Sequence, residues 1–187
     1  MTIDGPLETT HEPLETRDVT TRSTLARRDW IVFFGLAGLI LLIDQASKAW
    51  LVSNLAPGEV LSVIGDTIRF VFSQNSGALF GLFRDNAVLF GIISTGVIAL
   101  IVVYRARSGR SLYLSIGLGL ILGGALGNMT DRLRLGYVVD FVDVGLGGFR
   151  WYTFNVADAA ISAAIVMLLA VALIPSLVHL GERPADG

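Results

Sequence analysis

The chain contains no cysteine, only two histidines and few charged residues. Of its 187 residues, 16% are charged and 53% are hydrophobic. Without cysteine, disulfides, thiolate zinc sites and thiol nucleophiles are excluded. His11 and His179 lie near the two ends of the chain, so Ser-His catalysis and a histidine-ligated metal each lack a component. We therefore expect neither a metal nor a cofactor.

The composition favours lipid over water as the solvent of this protein. Soluble domains carry about 25% charged residues, more than the 16% found here, and the mean hydropathy is +0.67. The formal net charge is -2, and no basic face is evident, so no nucleic-acid partner is expected. The sequence thus predicts a membrane protein that has lipid as its surroundings.

Four apolar stretches predict membrane-spanning helices at 30–52, 86–104, 112–128 and 155–178. Each is close to the length of about 20 residues that a helix needs to cross the hydrocarbon core. Arginines precede the first stretch and fill the connection after the second, namely Arg22, Arg27, Arg28, Arg105, Arg107 and Arg110. By the positive-inside rule these arginines and both termini face the cytoplasm. We predict an all-α membrane fold with four transmembrane helices.

The remaining segments complete the predicted organisation. Residues 1–29 are rich in Thr, Glu and Pro, which predicts a disordered cytoplasmic tail. Residues 30–178 form the membrane domain, and 179–187 form a second cytoplasmic tail. An outer segment at about 55–85 contains β-branched residues around Gly65-Asp66, which predicts a hairpin or small extracytoplasmic sheet with its apolar side against lipid or helix ends. The outer connection at about 129–154 is expected to be a loop or short-helix insertion.

The third apolar stretch carries glycines at intervals of four residues: Gly119, Gly123 and Gly127. One face of that helix then has no side chains, so that a neighbouring backbone can approach closely. This spacing predicts tight helix packing.

Asp44 and Lys48 stand four residues apart in the first stretch. Side chains at this spacing share one helix face, which favours a structural ion pair. An alternative is a Ser-Lys catalytic dyad. Lys48 is the only lysine in the chain, so it would have to serve that dyad, but its neighbour Ser47 points away from the shared face.

Asp158 lies about one turn inside the fourth stretch, with no basic residue in reach on its own helix. Three more acids, Asp131, Asp140 and Asp143, belong to the preceding outer connection. Two carboxylates that share a site hold one proton between them, which suits one to activate water and the other to protonate a carbonyl oxygen. Spacing alone does not choose the partner of Asp158, and Asp131 beside Arg132 is also compatible with a structural salt bridge.

Five segments of the chain resemble, in order, the motifs of signal peptidase II, the bacterial lipoprotein signal peptidase. They are DQASK at 44–48, NSGALF at 75–80, GGALGNMTDR at 123–132, VVDF at 138–141 and FNVAD at 154–158. The resemblance extends from about residue 30 to about residue 178. Five ordered motifs on four predicted spans are specific, although each motif alone would be weak.

The resemblance implies an intramembrane aspartic endopeptidase of the bacterial cytoplasmic membrane. Such an enzyme removes the signal peptide from prolipoproteins, cutting before the diacylglyceryl-modified cysteine, with its active site at the outer face. The resemblance assigns catalysis to Asp140 and Asp158. Substrate-binding or site-bracing roles fall on Asn75, Asn128, Arg132, Asn155 and Asp131. We expect a monomer.

Two other classes of function share some of these sequence features. A small transporter or channel also uses intramembrane acids, but the two halves of the chain show no internal repeat of the kind common in transporters. A lipid-modifying transferase acting on the same precursors would need an activated nucleophile or a histidine base, and the membrane portion supplies neither.

Overall fold

The computed structural model describes residues 14–76 and 87–174, with side chains described at 27–76 and 91–174. Within these ranges the chain forms four α-helices and one four-stranded antiparallel sheet. In chain order the elements are α1 (Leu14–Asn54), β1 (Val60–Ile64), β2 (Ile68–Asn75), α2 (Ala87–Arg107), α3 (Leu112–Leu135), β3 (Val138–Leu146), β4 (Phe149–Arg150) and α4 (Val156–Leu173).

Three helices in the described part of the chain are long and apolar enough to cross a membrane: Arg27–Asn54, Leu112–Leu135 and Val156–Leu173. They coincide with the first, third and fourth predicted spans. The helix α2 covers the second predicted span with 21 residues.

The helix α1 begins at Leu14, inside the segment that the sequence predicted to be disordered. An established helix gains one hydrogen bond for each residue added to its end. The residues before the span include Leu25, Ala26 and Arg27, which are good helix formers. The helix α1 therefore continues through residue 29, where the sequence predicted the boundary between the tail and the membrane domain. Residues 1–13 and the predicted tail at 179–187 lie outside the described residues.

The helix α3 lies at the centre of the bundle and contacts α1, α2 and α4. A Cβ atom at Gly119 would lie 2.7 Å from the carbonyl oxygen of Phe33, and one at Gly123 would lie 2.7 Å from that of Ala37. The predicted close packing along this glycine face is confirmed, and its partner is α1. The apolar core of the bundle is formed by Phe33, Ala37, Ile101, Leu118 and Leu122.

The predicted hairpin is confirmed by the pairing of β1 with β2, in which Val60 lies opposite Val71. Its turn uses Gly65 with a φ of 49°, a left-handed conformation that glycine adopts readily. The buried side chain of Phe72 packs against Leu51 and Leu55 at the end of α1. The hairpin thus rests on a helix end, as expected.

The segment at 129–154 differs from the expected loop or short-helix insertion. The helix α3 continues to Leu135 and ends at Gly136, whose φ of 80° and N–H bond to the Arg132 carbonyl form a left-handed C-cap. The chain then enters β3, which pairs with β2 on one side and β4 on the other. This strand is rich in valine, a strong strand former, and its first four residues are buried. A strand buried on both faces lacks the alternation of polar and apolar residues that reveals an ordinary strand.

Candidate active site

The two aspartates that the sequence resemblance selected come from different elements. Asp140 lies near the start of β3, opposite Ser73 of β2, and is 3% exposed. Asp158 is the third residue of α4, in the first helical turn. The start of β3 lies next to the start of α4. The two carboxylates therefore lie at the same end of the helix bundle.

Asn155 connects these two aspartates and is fully buried. Its side-chain oxygen accepts the backbone N–H of Asp158 at 2.9 Å, and Asp158 Oδ2 accepts the backbone N–H of Asn155 at 3.3 Å. This reciprocal pattern is a capping box, which satisfies free N–H groups at a helix start. Asn155 Nδ2 also donates to Asp140 Oδ1 at 2.7 Å. One residue therefore starts α4 and holds both carboxylates.

Two further asparagines donate to the carboxylate oxygens of Asp140 and Asp158 that Asn155 does not contact. Asn75 Nδ2 lies 2.9 Å from Asp140 Oδ2, and Asn128 Nδ2 lies 2.8 Å from Asp158 Oδ1. Each carboxylate consequently receives a donor on both of its oxygens. The amides come from β2 and α3, so the site is assembled from four elements of the fold.

The pKa of Asp140 is raised from its ordinary value of 3.8 to about 7. Burial is the main cause, because it disfavours the charged form, and the nearby charge of Asp158 adds to it. Hydrogen bonds from Asn75 and Asn155 and the charge of Lys48 act in the opposite direction. Near neutral pH this carboxyl group is thus able to hold a proton.

Arg132 lies beside the pair on α3, where it is partly buried. Its guanidinium donates to the carbonyl oxygen of Asn128 at 3.3 Å. Its charge interacts with those of Asp158, Asp140 and Asp131. A fixed cation at this position favours a net negative charge on the two aspartates.

Lys48 lies at the centre of a buried polar cluster next to the pair. Its Nζ is 2.8 Å from Asp44 Oδ2 and 2.8 Å from Asp131 Oδ2. The cluster extends to Gln45, whose amide donates to Asp131 Oδ1 at 2.9 Å. The local sequence does not indicate the contact of Lys48 with Asp131, which lies 83 positions further along the chain, nor the contact made by Gln45.

The alternative Ser-Lys dyad is not formed. The hydroxyl of Ser47 donates to the carbonyl oxygen of Asp44 in its own helix at 2.9 Å. A hydroxyl bonded to its own helix in this way is the usual state of a helical serine.

Asp143 lies apart from the pair, although it shares β3 with Asp140. Residues three apart on a strand point to opposite faces of the sheet. Asp143 accepts hydrogen bonds from Arg69 Nη2 at 2.7 Å and from Arg150 Nε at 2.8 Å. Burial alone would raise the pKa of Asp143, but the hydrogen bonds and charges of Arg150 and Arg69 lower it overall. This acid therefore serves the sheet as an ion-pair partner.

In the part of the chain that the structure describes, no three side chains of the types His, Cys, Asp and Glu are grouped to hold a metal ion. Asp44 and Asp131 each pair with the ammonium group of Lys48.

Comparison with known proteins gives a consistent result. A family model described as Signal peptidase (SPase) II matches residues 36–174. A lipoprotein signal peptidase of Syntrophomonas wolfei is 39% identical over 142 residues, which are 76% of this chain and 93% of that protein. A lipoprotein signal peptidase of Moorella thermoacetica is 41% identical over 145 residues, which are 77% of this chain and 94% of that protein.

Two solved structures of bacterial membrane enzymes share the fold. One has a TM-score of 0.71 at 24% identity and covers 82% of this chain and 94% of its own. The other has a TM-score of 0.69 at 26% identity and covers 76% of this chain and 92% of its own. The transporter and lipid-transferase alternatives find no support in these matches. The chain belongs to the signal peptidase II family and is a protease of the lipoprotein signal peptidase type.

Proposed function

We propose that Asp140 and Asp158 form the catalytic dyad of an aspartic endopeptidase, which cuts prolipoproteins immediately before the diacylglyceryl-modified cysteine. The observation that carries this proposal is the position of Asn155, which donates to Asp140 Oδ1 through its side chain and to Asp158 Oδ2 through its backbone. Because one residue is hydrogen-bonded to both carboxyl groups, their distance and orientation are restricted. A reaction that uses both groups requires such a restriction.

In the proposed reaction, a water molecule between the two carboxyl groups attacks the scissile carbonyl carbon. Asp158, as the ionised member, takes a proton from that water, while Asp140 gives its proton to the carbonyl oxygen. A neutral diol results, without a covalent intermediate between enzyme and substrate. When the C–N bond breaks, Asp158 returns its proton to the leaving nitrogen and Asp140 recovers a proton from a diol hydroxyl. Each such proton transfer contributes about 10²–10⁴ in rate.

The raised pKa of Asp140, about 7, supports its assignment as the proton donor. The role of base then falls to Asp158, the other member of the pair, because the reaction needs one ionised carboxylate to take the proton from water. We assign substrate binding or bracing to Asn75, Asn128, Arg132, Asn155 and Asp131, in addition to their contacts within the site.

For the membrane arrangement we propose four spans with both termini in the cytoplasm. The helix α2 has 21 residues, a length of about 31 Å at about 1.5 Å per residue, which is sufficient to span the hydrocarbon core. Arg105 and Arg107 lie in its last turn, and Arg105 pairs with Asp29 near the start of the first apolar stretch at 3.6 Å. These arginines favour a cytoplasmic location for this end of the bundle.

The dyad lies at the opposite end of the bundle, near the end of α1 and the start of α4, so we place it at the outer face of the cytoplasmic membrane. The substrate is a membrane-anchored peptide whose acyl chains remain in the bilayer, which requires lateral access between helices. We propose that the enzyme acts as a monomer and that membrane lipid and diacylglyceryl-modified prolipoproteins are its partners.

The proposal is tested by replacing each aspartate with asparagine and following prolipoprotein processing in bacterial membranes that lack other activity of this type. Asp140→Asn and Asp158→Asn are each expected to leave the precursor uncut. The matched control is Asp66→Asn, because the side chain of Asp66 is 95% exposed on the β1–β2 turn. Normal processing by either dyad variant, at the same abundance as the control, would contradict the assignment.

A further inference from the structure

Lys48 makes three polar contacts with one ammonium group, and its side chain is only 4% exposed. Two of the contacts are the ion pairs with Asp44 and Asp131 at 2.8 Å. The third is a hydrogen bond to Asn128 Oδ1 at 3.1 Å. An ammonium group has three N–H donors and no acceptor. All three donors of Lys48 are therefore in use.

The contact with Lys48 fixes the orientation of the Asn128 amide. A carboxamide has one accepting oxygen and one donating nitrogen on the same carbon. Because Lys48 is able only to donate, the oxygen of Asn128 must face it, and the nitrogen then faces Asp158 Oδ1 at 2.8 Å. Rotation of this amide by half a turn would place its oxygen against the carboxylate.

The amide of Asn155 is oriented by the same logic. The backbone N–H of Asp158 is able only to donate and occupies Asn155 Oδ1, so Nδ2 is left to face Asp140 Oδ1. That nitrogen also lies 3.1 Å from Asn128 Oδ1. The oxygen of Asn128 thus faces donors from Lys48 and Asn155 together, which reinforces its orientation.

The two acids paired with Lys48 reach the backbone next to the dyad. Asp131 Oδ2 accepts the N–H of Val139 at 3.1 Å, and Val139 directly precedes Asp140. Asp44 Oδ1 accepts the N–H of Ala157 at 3.0 Å, and Ala157 directly precedes Asp158. The ammonium group therefore connects the backbone positions before both aspartates, one on β3 and the other on α4.

We propose that Lys48 is a positioning residue of the dyad, which orients the Asn128 amide towards Asp158 and connects Asp131 and Asp44 where they hold the backbone beside each aspartate. This inference rests on the proposed function of Asp140 and Asp158. A hydrogen bond donated by residue 48 to Asn128 is then required for a normal kcat.

A pair of double variants separates this donor role from the role of charge. Lys48→Gln with Asp131→Asn and Lys48→Met with Asp131→Asn both keep the formal charge of the cluster at its original value, since one cation and one anion are removed together. Glutamine and methionine are similar in length, but only glutamine is able to donate to Asn128. The readouts are the melting temperature and the kcat and KM for cleavage of a fluorogenic diacylglyceryl-cysteine peptide in mixed micelles.

We expect kcat to be about tenfold or more lower for the methionine pair than for the glutamine pair. Without a donor at residue 48 the Asn128 amide is no longer oriented, and its hydrogen bond to the Asp158 carboxylate is lost. KM is expected to agree within about twofold, since Lys48 acts through another residue and loss of a transition-state interaction reduces kcat. With Asn128→Ala added to both pairs, the difference in kcat should vanish. Equal kcat in the two pairs, or a difference that survives Asn128→Ala, would overturn the proposal.

Asn128→Leu tests the same hydrogen bond without changing the formal charge of the cluster. Leucine is similar in size to asparagine but has no donor for Asp158, so kcat should again fall by about tenfold or more. Near-normal kcat in this variant would also overturn the proposal. The unmodified chain is measured in parallel, because absence of cleavage there would count against the proposed function itself.

Discussion

The side-chain amide of Asn155 donates to Oδ1 of Asp140 at 2.7 Å. Asn155 precedes the first residue of α4, whereas Asp140 lies within β3. This one hydrogen bond therefore joins the start of a candidate membrane helix to a strand of the sheet, at a residue that also contacts Asp158. The geometry of the dyad depends on how α4 begins.

Asn155→Ser is expected to preserve the helix start but impair catalysis. Serine is as good an N-cap as asparagine, but its side chain is too short to reach Asp140. Asp140 is the protonated member of the pair, and loss of a hydrogen bond to a neutral group costs about 0.5–1.5 kcal/mol, which corresponds to a reduction of kcat by about 2- to 10-fold. Asn155→Ala removes the cap as well and should lower the melting temperature further. Equal kcat in Asn155→Ser and the unmodified protein would contradict the bridging role.

The pH dependence of kcat/KM should show an alkaline limb near neutrality. The pKa of Asp140 is raised to about 7, so its proton is present below that pH and is lost above it. Because the proposed reaction uses this proton on the carbonyl oxygen, the rate should fall about tenfold per pH unit above the pKa. The measurement is kcat/KM from pH 5 to 9, with Asp66→Asn expected to give the same profile. A rate that stays constant up to pH 9 would contradict the assignment of Asp140 as the acid.

The fold follows from the sequence to the extent that local patterns determine it. Three apolar stretches correspond to candidate membrane helices, and the turn at Gly65 produced the expected hairpin. The strand β3 was not predicted, because its first four residues are all buried and do not alternate between polar and apolar. The helical backbone before Trp30 was not predicted either. Once the apolar part of α1 is helical, the helix is able to extend into the polar residues that precede it.

The site is less accessible to sequence reasoning, because its contacts join distant residues. Chemical reasoning alone left three candidates as the partner of Asp158, and only the resemblance to a family selected Asp140. In the structure Asp140 shares Asn155 with Asp158, whereas Asp131 pairs with Lys48 and Asp143 pairs with Arg69 and Arg150. Nothing in the local sequence around Lys48 indicates that Asp131 joins it.

Asp44→Asn should lower the abundance of the protein more than its activity per molecule. The asparagine oxygen remains able to accept the N–H of Ala157, so the start of α4 keeps its contact. The buried ion pair with Lys48 is lost, and breaking such a pair is destabilising. The measurements are the amount of protein in membranes and the cleavage rate per molecule. Normal abundance without activity would move Asp44 into the catalytic set.

Gly124→Ala is expected to destabilise the bundle close to the site. A Cβ atom at Gly124 would lie 2.6 Å from the carbonyl oxygen of Ala157, a backbone atom that is unable to rotate away. Overpacking of this kind costs about 1–3 kcal/mol, and displacement of Ala157 also shifts the neighbouring Asp158. The matched control is Gly35→Ala, because a Cβ there would meet nothing within 4 Å. A melting temperature for Gly124→Ala as high as that of the control would contradict the close packing of α3 on α4.

Asp140 and Asp158 are proposed to act as one catalytic unit. The most direct test is to compare kcat for Asp140→Asn, Asp158→Asn and the double variant in one cleavage assay. Residues that act as a unit give strongly non-additive effects. Each single variant should therefore lose nearly all activity, and the double variant should be no slower than either one. Substantial activity in a single variant, or losses that multiply in the double variant, would contradict the proposal.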